Sequence, residues 1–350
     1  MTRPLPPVLL IHSFDAYAGS QRIARTLVTT LAAAGADARV RLGFGGRGFL
    51  SELPGVRPDI RCDHILTRKL LYPLWAMLAL LPTAWSAARG RIIWANTIHV
   101  VPPALLAILL FPHRIVVHLH EATFPWPFRW LLRLARWRGA TIVCVSADQA
   151  RRIGIDATIL PNPVSQPPVD LPSRMDRFLF IGTTQPIKGF MLFVAVVRLL
   201  NGTDLRPTAY LSDEDRQDRA LVEAARAAGI EVIFGERSPE VMYRDGFLLL
   251  MGTDSRLVSE TFSLVAAEAV AAMVPVGGAG ATVLPEVLGE SLAFNEASRD
   301  PLTIANAVRQ LHADPERYAR LRRACAERRL YFSEKMFSQR LRQLLQVMEN

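Results

Sequence analysis

The chain has 350 residues, half of them hydrophobic, and carries 41 Lys and Arg against 32 Asp and Glu. At about 150 residues per domain this length predicts two domains, and the apolar share excludes an intrinsically disordered chain. The formal net charge of +9 favours anionic partners. Cys62, Cys144 and Cys325 are far apart, which excludes a disulfide framework and a cysteine-based zinc site and fits a reducing cytosol.

The most apolar segments bear on membrane insertion. Residues 8–11 form a run too short for a secretory signal, so the chain is expected to stay in the cytoplasm. Residues 70–85 are broken by Pro73 and Pro82, and residues 104–111 fall far short of the roughly 20 that span a bilayer. Both segments are expected to be buried helices of an α/β domain, with contact at a membrane surface as the alternative.

Short apolar runs alternate with helical patterns along the whole chain, which is typical of parallel sheets covered by crossover helices. The first half predicts a helix at residues 20–34 closed by Gly35, and a capping box from Ser146 to Gln149. Its predicted strands lie at residues 8–14, 38–44, 91–95, 114–120 and 140–146.

The pattern restarts after a proline-rich stretch. This predicts an N-terminal domain at residues 1–165, a linker at 166–172 and a C-terminal domain at 173–332. Residues 333–350 predict a helix that packs back toward the first domain. In the second domain the predicted strands lie at residues 177–182, 207–211, 231–234, 247–251 and 274–277, and the predicted longer helices at 189–200, 213–228 and 262–273. The fold class is α/β, with two doubly wound Rossmann-like domains facing across a cleft, where the loops after the strands bind ligands.

Two loops that join a strand to a helix are candidate phosphate sites. Gly19 and Ser20 open the first helix, where backbone amides and the helix dipole favour a phosphate. A glycine there is often only a steric requirement, and the G-x-G-x-x-G fingerprint is absent. In the second domain, Gly182 and Thr183 are followed by Lys188 at a helix start. A cation is unfavourable for the dipole there, which favours Lys188 as the partner of a phosphate over a solvated surface lysine.

His118 and His120 end a predicted strand and share one face of it. The position of His120 at the carboxyl end favours contact with a substrate, whereas His118, one pleat deeper, is expected to be a hydrogen-bonded core histidine. Because no third ligand is near in sequence, the pair does not predict a metal site.

Residues 124–138 combine aromatic and leucine side chains with several arginines. This composition resembles that of an interfacial membrane segment. An ordinary crossover helix with a basic outer face has the same pattern, and the sequence leaves both interpretations open.

Glu260 and Glu268 are the sharpest chemical signal. Glu260 follows a predicted strand, and Glu268 lies in an otherwise apolar helix, where a carboxylate is costly to bury without a partner. The hydroxyls of a nucleotide ribose would be a suitable partner, and a solvated edge is the alternative. The amides of Ser263, Leu264 and Val265 open that helix and suit a phosphate.

In their order along the chain, these motifs resemble those of the retaining GT-B glycosyltransferases of the GT4 family. The resemblance covers the whole length and is carried by Gly19, His120, Asn162-Pro163, Gly182 with Lys188-Gly189, and Glu260 with Glu268. It implies transfer of a sugar from a nucleotide diphosphate donor with retention of configuration, without an essential metal or other cofactor.

The resemblance also implies residue roles. Lys188 binds the donor diphosphate, Glu268 the ribose and Glu260 the donor sugar, while His120 lies beside the reacting carbon. The loop of Gly19 approaches the diphosphate from the first domain. The expected acceptor is a lipid-linked or cell-envelope glycan at the inner face of the cytoplasmic membrane, and an anionic membrane surface is a further expected partner. No nucleic acid partner is expected, because the arginines are spread over both domains and are not gathered with stacking aromatics.

Two departures from the family pattern keep alternatives open. Thr183 and Thr184 stand where the family has an arginine, and Ser263 stands where glycine is common, which is expected to narrow the space beside the phosphate. The candidate replacements for the missing cation are Arg22, Arg47 and Arg256. The alternatives are an inactive or weak nucleotide-sugar-binding subunit and a GT-B nucleotide-sugar epimerase.

Overall fold

The computed structural model of the chain describes residues 5–168, 175–235, 237–257 and 260–349. The chain divides into two compact units. Unit 1 comprises the residues up to Pro163 together with those from Glu334 onward, and unit 2 comprises Val164–Ser333. Of the predicted linker, residues 169–172 lie outside the described residues.

Unit 1 is built on a parallel sheet. Its described strands are β1 (Val8–Phe14), β2 (Ala38–Phe44), β3 (Pro58–Ile60), β4 (Ile92–Asn96), β5 (Ile115–Leu119), β6 (Thr141–Cys144) and β7 (Thr158–Ile159). The helices between them are α1 (Gly19–Ala33), α2 (Ile65–Ala88), α3 (Val101–Leu110), α4 (Trp126–Arg138) and α5 (Ala147–Ile153). The strand order is β3-β2-β1-β4-β5-β6-β7.

Alternation along the central strands fixes which helices cover each side of this sheet. Leu9 and Ile11 of β1 belong to the core formed with α2, α3 and α4, whereas Val8 and Leu10 belong to the core formed with α1. Helices α2, α3 and α4 therefore form one layer on a single side of the sheet, and α1 lies on the other side.

The two prolines predicted to break residues 70–85 lie inside one continuous helix, α2. An interior proline costs about 3 kcal/mol, because it removes a backbone hydrogen bond and crowds the preceding turn. Pro73 and Pro82 are both exposed, and so are Lys69 and Leu78, whose carbonyl groups lose their helical partners. Water can therefore bind those carbonyls.

The expectation that residues 70–85 are buried is wrong for one side of α2. Only the side with Trp75 and Ala79 is buried against the sheet, and large apolar side chains of the other side are exposed. Among the described residues, α2 is the helix with the length and apolar composition needed to cross a bilayer, with a mean hydropathy of 1.3 over 18 residues, a third of which are buried.

Unit 2 repeats the architecture. Its described strands are β8 (Arg177–Gly182), β9 (Arg206–Leu211), β10 (Glu231–Phe234), β11 (Gly246–Met251), β12 (Val276–Gly278) and β13 (Leu292–Asn295). Its helices are α6 (Phe190–Leu199), α7 (Arg219–Ala227), α8 (Pro239–Met242), α9 (Leu264–Ala271), α10 (Leu284–Leu288), α11 (Pro301–His312) and α12 (Pro315–Tyr331). The strand order is β10-β9-β8-β11-β12-β13, again with parallel pairing.

Both sheets have the Rossmann-like order, in which the chain builds outward from the first strand and then crosses to its other side. The direction in which strands are added reverses between β1 and β4 in unit 1 and between β8 and β11 in unit 2. We call each of these places the switch point of its unit. The crevice beyond the carboxyl ends of such strands is where open α/β sheets bind ligands.

The last helix, α13 (Glu334–Glu349), belongs to unit 1. Its buried side chains Phe337, Leu341 and Leu345 pack with α1 and with Leu10 of β1. The helix therefore completes the layer on the α1 side of the unit 1 sheet.

Short edge elements were not predicted. The strands β3, β7 and β13 have two to four residues each, too few to show an apolar period. The predicted helix at residues 213–228 is also wrong in its first part, because α7 begins only at Arg219. A separate 3-10 turn, Glu214–Arg216, precedes it, and Asp218 caps α7 by accepting from the amides of Ala220 and Leu221.

Candidate functional site

At the switch point of unit 1, the buried side chain of Asn96 connects the loop of Gly19 and Ser20 to His120. Asn96, at the carboxyl end of β4, donates from Nδ2 to the carbonyl oxygen of Ser20 over 3.2 Å. Its Oδ1 lies 3.0 Å from Nε2 of His120. Since Asn96 Nδ2 is the donor to Ser20, Oδ1 is the acceptor, which assigns the proton of a neutral His120 ring to Nε2.

Burial keeps the histidines of this switch point neutral. Burial lowers the pKa of His120 well below its usual value, and the neighbouring His118 and His12 lower it further. Burial also lowers the pKa of His118 to about 3 and that of His12 to about 4. The expectation that His118 is hydrogen-bonded is wrong, because within the described residues neither of its ring nitrogens has a hydrogen-bond partner. Its ring instead lies 4.3 Å from that of His120, centroid to centroid.

The backbone beside Asn96 is strained. Thr97 has a φ of 102°, a left-handed conformation that is rare for a β-branched residue. Its amide donates to the carbonyl of His118 over 2.9 Å, which holds the ends of β4 and β5 together. Strain of this kind costs about 1–3 kcal/mol and is often found at functional sites.

A buried carboxylate anchors the glycine-rich loop after β2. Asp15, just beyond β1, accepts from the amides of Leu50 and Ser51 over 3.0 and 2.8 Å. A Cβ added to Gly48 would lie 2.4 Å from Asp15 Oδ1, so that position requires glycine. The loop is therefore packed against the β1 end of the switch point.

An apolar cavity of about 330 Å³ lies at the carboxyl ends of β1 and β2, against α2 and α4. It carries two cations, Arg68 and Lys69, and the guanidinium carbon of Arg68 is 4.9 Å from the centroid of the Phe14 ring. The other lining residues are Ser13, Phe44, Ile65, Tyr72, His99 and Phe128. Such a lining suits a molecule that has both apolar and anionic parts.

In unit 2 the switch point brings together Lys188 and Glu260, which are 72 residues apart in sequence. Lys188 Nζ lies 3.2 Å from Glu260 Oε1, and the hydroxyl of Thr253 donates to the same oxygen over 3.0 Å. Lys188 ends the turn between β8 and α6, and the other two residues follow β11. The ammonium is partly exposed, so it can meet a ligand while the carboxylate beneath is largely covered.

Two glycines make this juxtaposition possible. Gly189 has a φ of +75°, and a Cβ there would lie 2.0 Å from the carbonyl oxygen of Gly252. A Cβ on Gly252 would lie 3.0 Å from the carbonyl oxygen of Gly189. The two backbones touch, and this contact holds the Lys188 turn against the segment that leads to Glu260.

The turn is also fixed from the side of β8. Phe178 and Phe180 of β8 pack against Phe190 and Phe193 of α6, with ring centroids 5.0 to 5.5 Å apart. Since these rings hold β8 and α6 together, the Lys188 turn between them has little freedom.

The second carboxylate oxygen of Glu260 is unsatisfied. Within the described residues, Oε2 is buried and has no hydrogen-bond partner. Glu260 lines a small crevice together with Ser255 and Thr282. An orphaned buried acceptor costs about 1–3 kcal/mol, and a ligand hydroxyl that donates to it would remove that cost.

Arg256 and Arg299 hold Asp254 on the loop after β11. Arg256 forms a bidentate pair with Asp254 at 2.9 and 2.7 Å, and this pairing holds the pKa of the Asp254 carboxyl well below its usual range. Arg299 donates to the carbonyl oxygens of Gly252, Thr253 and Ala279 over 2.9 to 3.1 Å. Of these two cations, only Arg256 is largely exposed and able to turn toward a ligand.

Thr183 and Thr184, which follow β8 where the GT4 sequence pattern has an arginine, have different roles. Thr184 is buried, and its amide and hydroxyl contact Gln217 Oε1 at 2.9 and 3.3 Å. Thr183 is half-buried, beside Gly182 at the end of β8. Thr184 thus ties the loop to the segment before α7, and neither residue supplies a cation.

Ser263 is the N-cap residue of α9. Its Oγ accepts from the amide of Ala266 over 3.3 Å, and its carbonyl oxygen accepts from the amide of Ala267. The side chain is thus turned into the helix cap and is itself buried. Leu264 and Val265 form the first turn of α9, where backbone amides have no helical acceptor and suit an anion.

Glu268 is buried in the middle of α9, 4% exposed, among alanines and Val270. The alternative that it emerges on a solvated edge is therefore excluded. A carboxylate at such a position needs hydrogen-bond donors.

The predicted site residues fall into two groups. Gly19, Ser20 and His120 lie at the switch point of unit 1, and those of unit 2 lie on the turn after β8, the segment after β11 and the start of α9. Asn96, Thr97 and Thr253 were missed. Polar residues directly after a strand were the available signal, although sequence alone does not rank one such residue above another. Within the described residues there is no cluster of three or more His, Cys, Asp or Glu side chains that could hold a metal ion.

A second cavity of about 330 Å³ in unit 2 is unrelated to this arrangement. It is lined by Met175, Asp245 and Gly246, at the amino ends of β8 and β11, and by residues of α8. This is the sheet edge opposite to the one where such folds bind ligands.

No protein-family model and no curated protein sequence matches the chain. Solved structures do match it along nearly its full length. Sucrose-phosphate synthase from Thermosynechococcus elongatus has a TM-score of 0.73 at 16% identity, covering 98% of both chains. HepE from Anabaena in complex with UDP and glucose has a TM-score of 0.73 at 16% identity, covering 97% of this chain and 99% of that one. A glycosyltransferase from Rickettsia africae has a TM-score of 0.75 at 11% identity, covering 98% and 99%. The chain therefore has the GT-B fold class, with two Rossmann-like units and C-terminal helices.

Proposed function

We propose that the protein is a retaining glycosyltransferase of the GT4 type, which transfers a sugar from a nucleotide diphosphate donor to a lipid-linked or other cell-envelope glycan at the inner face of the cytoplasmic membrane. The observation that carries the proposal is the cluster of Lys188, Glu260 and Thr253 at the switch point of unit 2. Further support comes from HepE, a structural neighbour solved with UDP and with UDP-glucose.

Unit 2 binds the donor in this proposal. Lys188 neutralises the diphosphate, together with the amides of Leu264 and Val265 at the positive end of α9. Glu260 accepts a hydrogen bond from a hydroxyl of the donor sugar through its unsatisfied Oε2, and Glu268 accepts from the ribose hydroxyls. Each assignment places a phosphate or hydroxyl of the donor against a charged or buried side chain.

The transfer needs charge stabilisation more than acid–base residues. The bond from the anomeric carbon to the diphosphate oxygen breaks, and the acceptor oxygen bonds to that carbon on the same face. The departing phosphate oxygen takes the acceptor's proton, so Lys188 and the α9 amides act on the charge that develops there. For unit 1 we propose functional roles for His120, whose low pKa keeps it neutral, and for the loop of Gly19 and Ser20. No metal enters this scheme, and we expect turnover to persist in a chelator.

We assign the binding site of the acceptor to the apolar cavity of unit 1. Arg68 and Lys69 suit a phosphate, and the aromatic lining suits the apolar part of a lipid carrier. We therefore propose an acceptor that carries an anionic group next to a lipid chain.

The test is release of free nucleoside diphosphate from a panel of nucleotide sugars, with and without a lipid extract. A transferase releases more diphosphate when the extract is present, and the responsive sugar identifies the donor. Isomerisation of the donor without any acceptor would identify an epimerase and overturn the proposal. Donor binding without release of nucleoside diphosphate would identify an inactive subunit. This is the alternative favoured by a threonine, Thr183, at the position where an arginine is usual.

A further inference from the structure

The exposed side of α2 carries a continuous apolar stripe. Its members recur every three or four residues and so lie on one side of the helix. They are Leu66, Leu70, Leu74, Leu78, Leu81 and Trp85, each between 52% and 79% exposed. Met77 is exposed beside them.

The amphipathicity of α2 is reversed relative to a soluble surface helix. A surface helix of a soluble protein turns its large apolar residues toward the core. In α2 the buried side consists mainly of alanines around Trp75, and the leucines face outward. An exposed apolar surface of this size is typical of an interaction site.

The neighbouring helices extend this surface with tryptophans. Helices α2, α3 and α4 form one layer, so their outer sides lie on the same side of unit 1. Trp126, Trp130 and Trp137 of α4 are exposed, as is Leu110 of α3. Tryptophan is enriched where a protein meets the boundary between lipid chains and head groups.

The same segment carries most of the net charge of the chain. Residues 65–138 contain nine Lys and Arg and a single acidic residue, Glu121, a net +8 of the total +9. Three of the arginines lie over exposed tryptophans of this surface, with Arg89 on Trp85, Arg133 on Trp130 and Arg138 on Trp137. An apolar stripe bordered by cations and tryptophans matches the interface of an anionic bilayer.

We propose that unit 1 docks on an anionic lipid bilayer through the outer sides of α2, α3 and α4, with α2 lying in the plane of the interface. The stripe enters the boundary between head groups and acyl chains, and the arginines contact the head groups. Helix α2 does not span the bilayer, because its Trp75 side packs on the sheet. A second copy of the chain is disfavoured as the occupant, because a symmetric contact would place two strongly positive surfaces together.

The proposal has a direct consequence for salt dependence. Attraction to anionic head groups weakens as ionic strength rises, whereas insertion of apolar side chains does not. Binding is therefore expected to have two parts, one released by high salt and one retained.

The first experiment is co-sedimentation with vesicles of phosphatidylcholine alone or with 30% phosphatidylglycerol as an assay condition, since anionic lipid supplies the attracting surface potential. The wild-type chain is expected to bind the anionic vesicles at least about tenfold better, as expected for several basic contacts. The triple variant Leu70→Gln, Leu74→Gln and Leu81→Gln is expected to lose the salt-resistant part. Its matched control is Leu257→Gln, Leu302→Gln and Leu330→Gln, three leucines of unit 2 that are each more than half exposed.

Intrinsic fluorescence gives a second and independent readout. All six tryptophans of the chain lie in unit 1, four of them exposed on the proposed surface, while Trp75 and Trp94 are buried. With brominated lipid in the vesicles, quenching is expected for the four exposed tryptophans, and the emission of the two buried ones is expected to remain.

Three outcomes would overturn the proposal. The first is equal binding by the triple variant and its control. The second is absence of quenching by brominated lipid. The third is a wild-type dimer that becomes monomeric in the triple variant without any vesicle binding, which would identify a second copy as the occupant. The proposal goes beyond the sugar transfer proposed above, and a Lys188→Ala variant that binds vesicles normally would keep the two questions separate.

Discussion

At the scale of single residues, the donor chemistry depends on Lys188 and Glu268. We expect Lys188→Ala and Glu268→Ala each to weaken donor binding or turnover at least tenfold, about 1.4 kcal/mol or more, because each removes a charged hydrogen-bond partner. Titration of the protein with nucleoside diphosphate and steady-state kinetics measure the two effects.

The matched control is Lys335→Ala, which removes an exposed lysine of α13. If the Lys188 and Lys335 variants behave alike, the assignment of the diphosphate site is wrong.

The buried histidines of unit 1 make its stability sensitive to acid. Below pH 6.5 the unfolded chain takes up protons on His12 and His118, whereas the folded chain resists until about pH 4 and about pH 3, the pKa values that burial gives these residues. The unfolded state thus binds more protons in this window, so the free energy of unfolding falls as the pH drops, by about 1.4 kcal/mol per pH unit for each histidine.

Urea unfolding at pH 7 and pH 5 tests this prediction. His118→Leu is expected to flatten the pH dependence, because the variant has one fewer group to protonate on unfolding. His113→Leu, which changes an exposed histidine, is expected to keep the wild-type slope. Identical slopes in all three proteins would contradict the prediction.

At the scale of elements, the contact between Gly189 and Gly252 holds the Lys188 turn and the segment after β11 together. Gly189→Ala places a methyl group 2.0 Å from a carbonyl oxygen, so one of the two segments has to move. Overpacking of this kind costs about 1–3 kcal/mol beyond the strain of the positive φ. We expect lower stability by circular dichroism and weaker binding of nucleoside diphosphate.

Gly229→Ala isolates the effect of that contact. Gly229 has a similar φ of +79°, and a Cβ there meets nothing within 4 Å. Both variants carry the backbone strain, and only Gly189→Ala carries the clash. Equal losses of stability in the two variants would show that the contact between the segments has no energetic weight.

The sequence predicts most strands of both sheets but not all of the short strands at their edges. The strands β1, β2, β8 and β10 were predicted to the residue, because turn residues bound their apolar runs. The strands β3 and β7 were missed, because a run of two or three residues at a sheet edge has no measurable period.

The contacts within the candidate sites could not be predicted from the sequence for a different reason. The motif pattern named Lys188 and Glu260, but their 3.2 Å contact depends on a strand order that the sequence does not state. Asn96 was missed because one polar residue after a strand resembles many others. The outer side of α2 was misjudged because both of its sides are apolar, so composition does not tell which side is buried.

At the scale of the whole molecule, α13 is separated in sequence from the rest of unit 1 by all of unit 2. Phe337 is 1% exposed in the core with α1. We expect Phe337→Ala to lower the free energy of unfolding of unit 1 by about 3–5 kcal/mol, as for other buried phenylalanines. Tryptophan fluorescence reports this loss specifically, since every tryptophan lies in unit 1.

Val347→Ala is the control, because Val347 is also on α13 but is 75% exposed. Its unfolding midpoint is expected to match that of the wild type. If Phe337→Ala also leaves the midpoint unchanged, α13 does not contribute to the stability of unit 1.

The return of α13 to unit 1 also sets an order of folding during synthesis. Unit 2 is a continuous stretch, Val164–Ser333, and has all its strands and helices before α13 is made. Unit 1 begins first but lacks part of one helical layer until the ribosome has added the residues from Glu334 onward. The side of the unit 1 sheet that α1 covers therefore stays only partly covered through the synthesis of the whole second unit. During that interval unit 1 is the part of the molecule most exposed to aggregation and to chaperones.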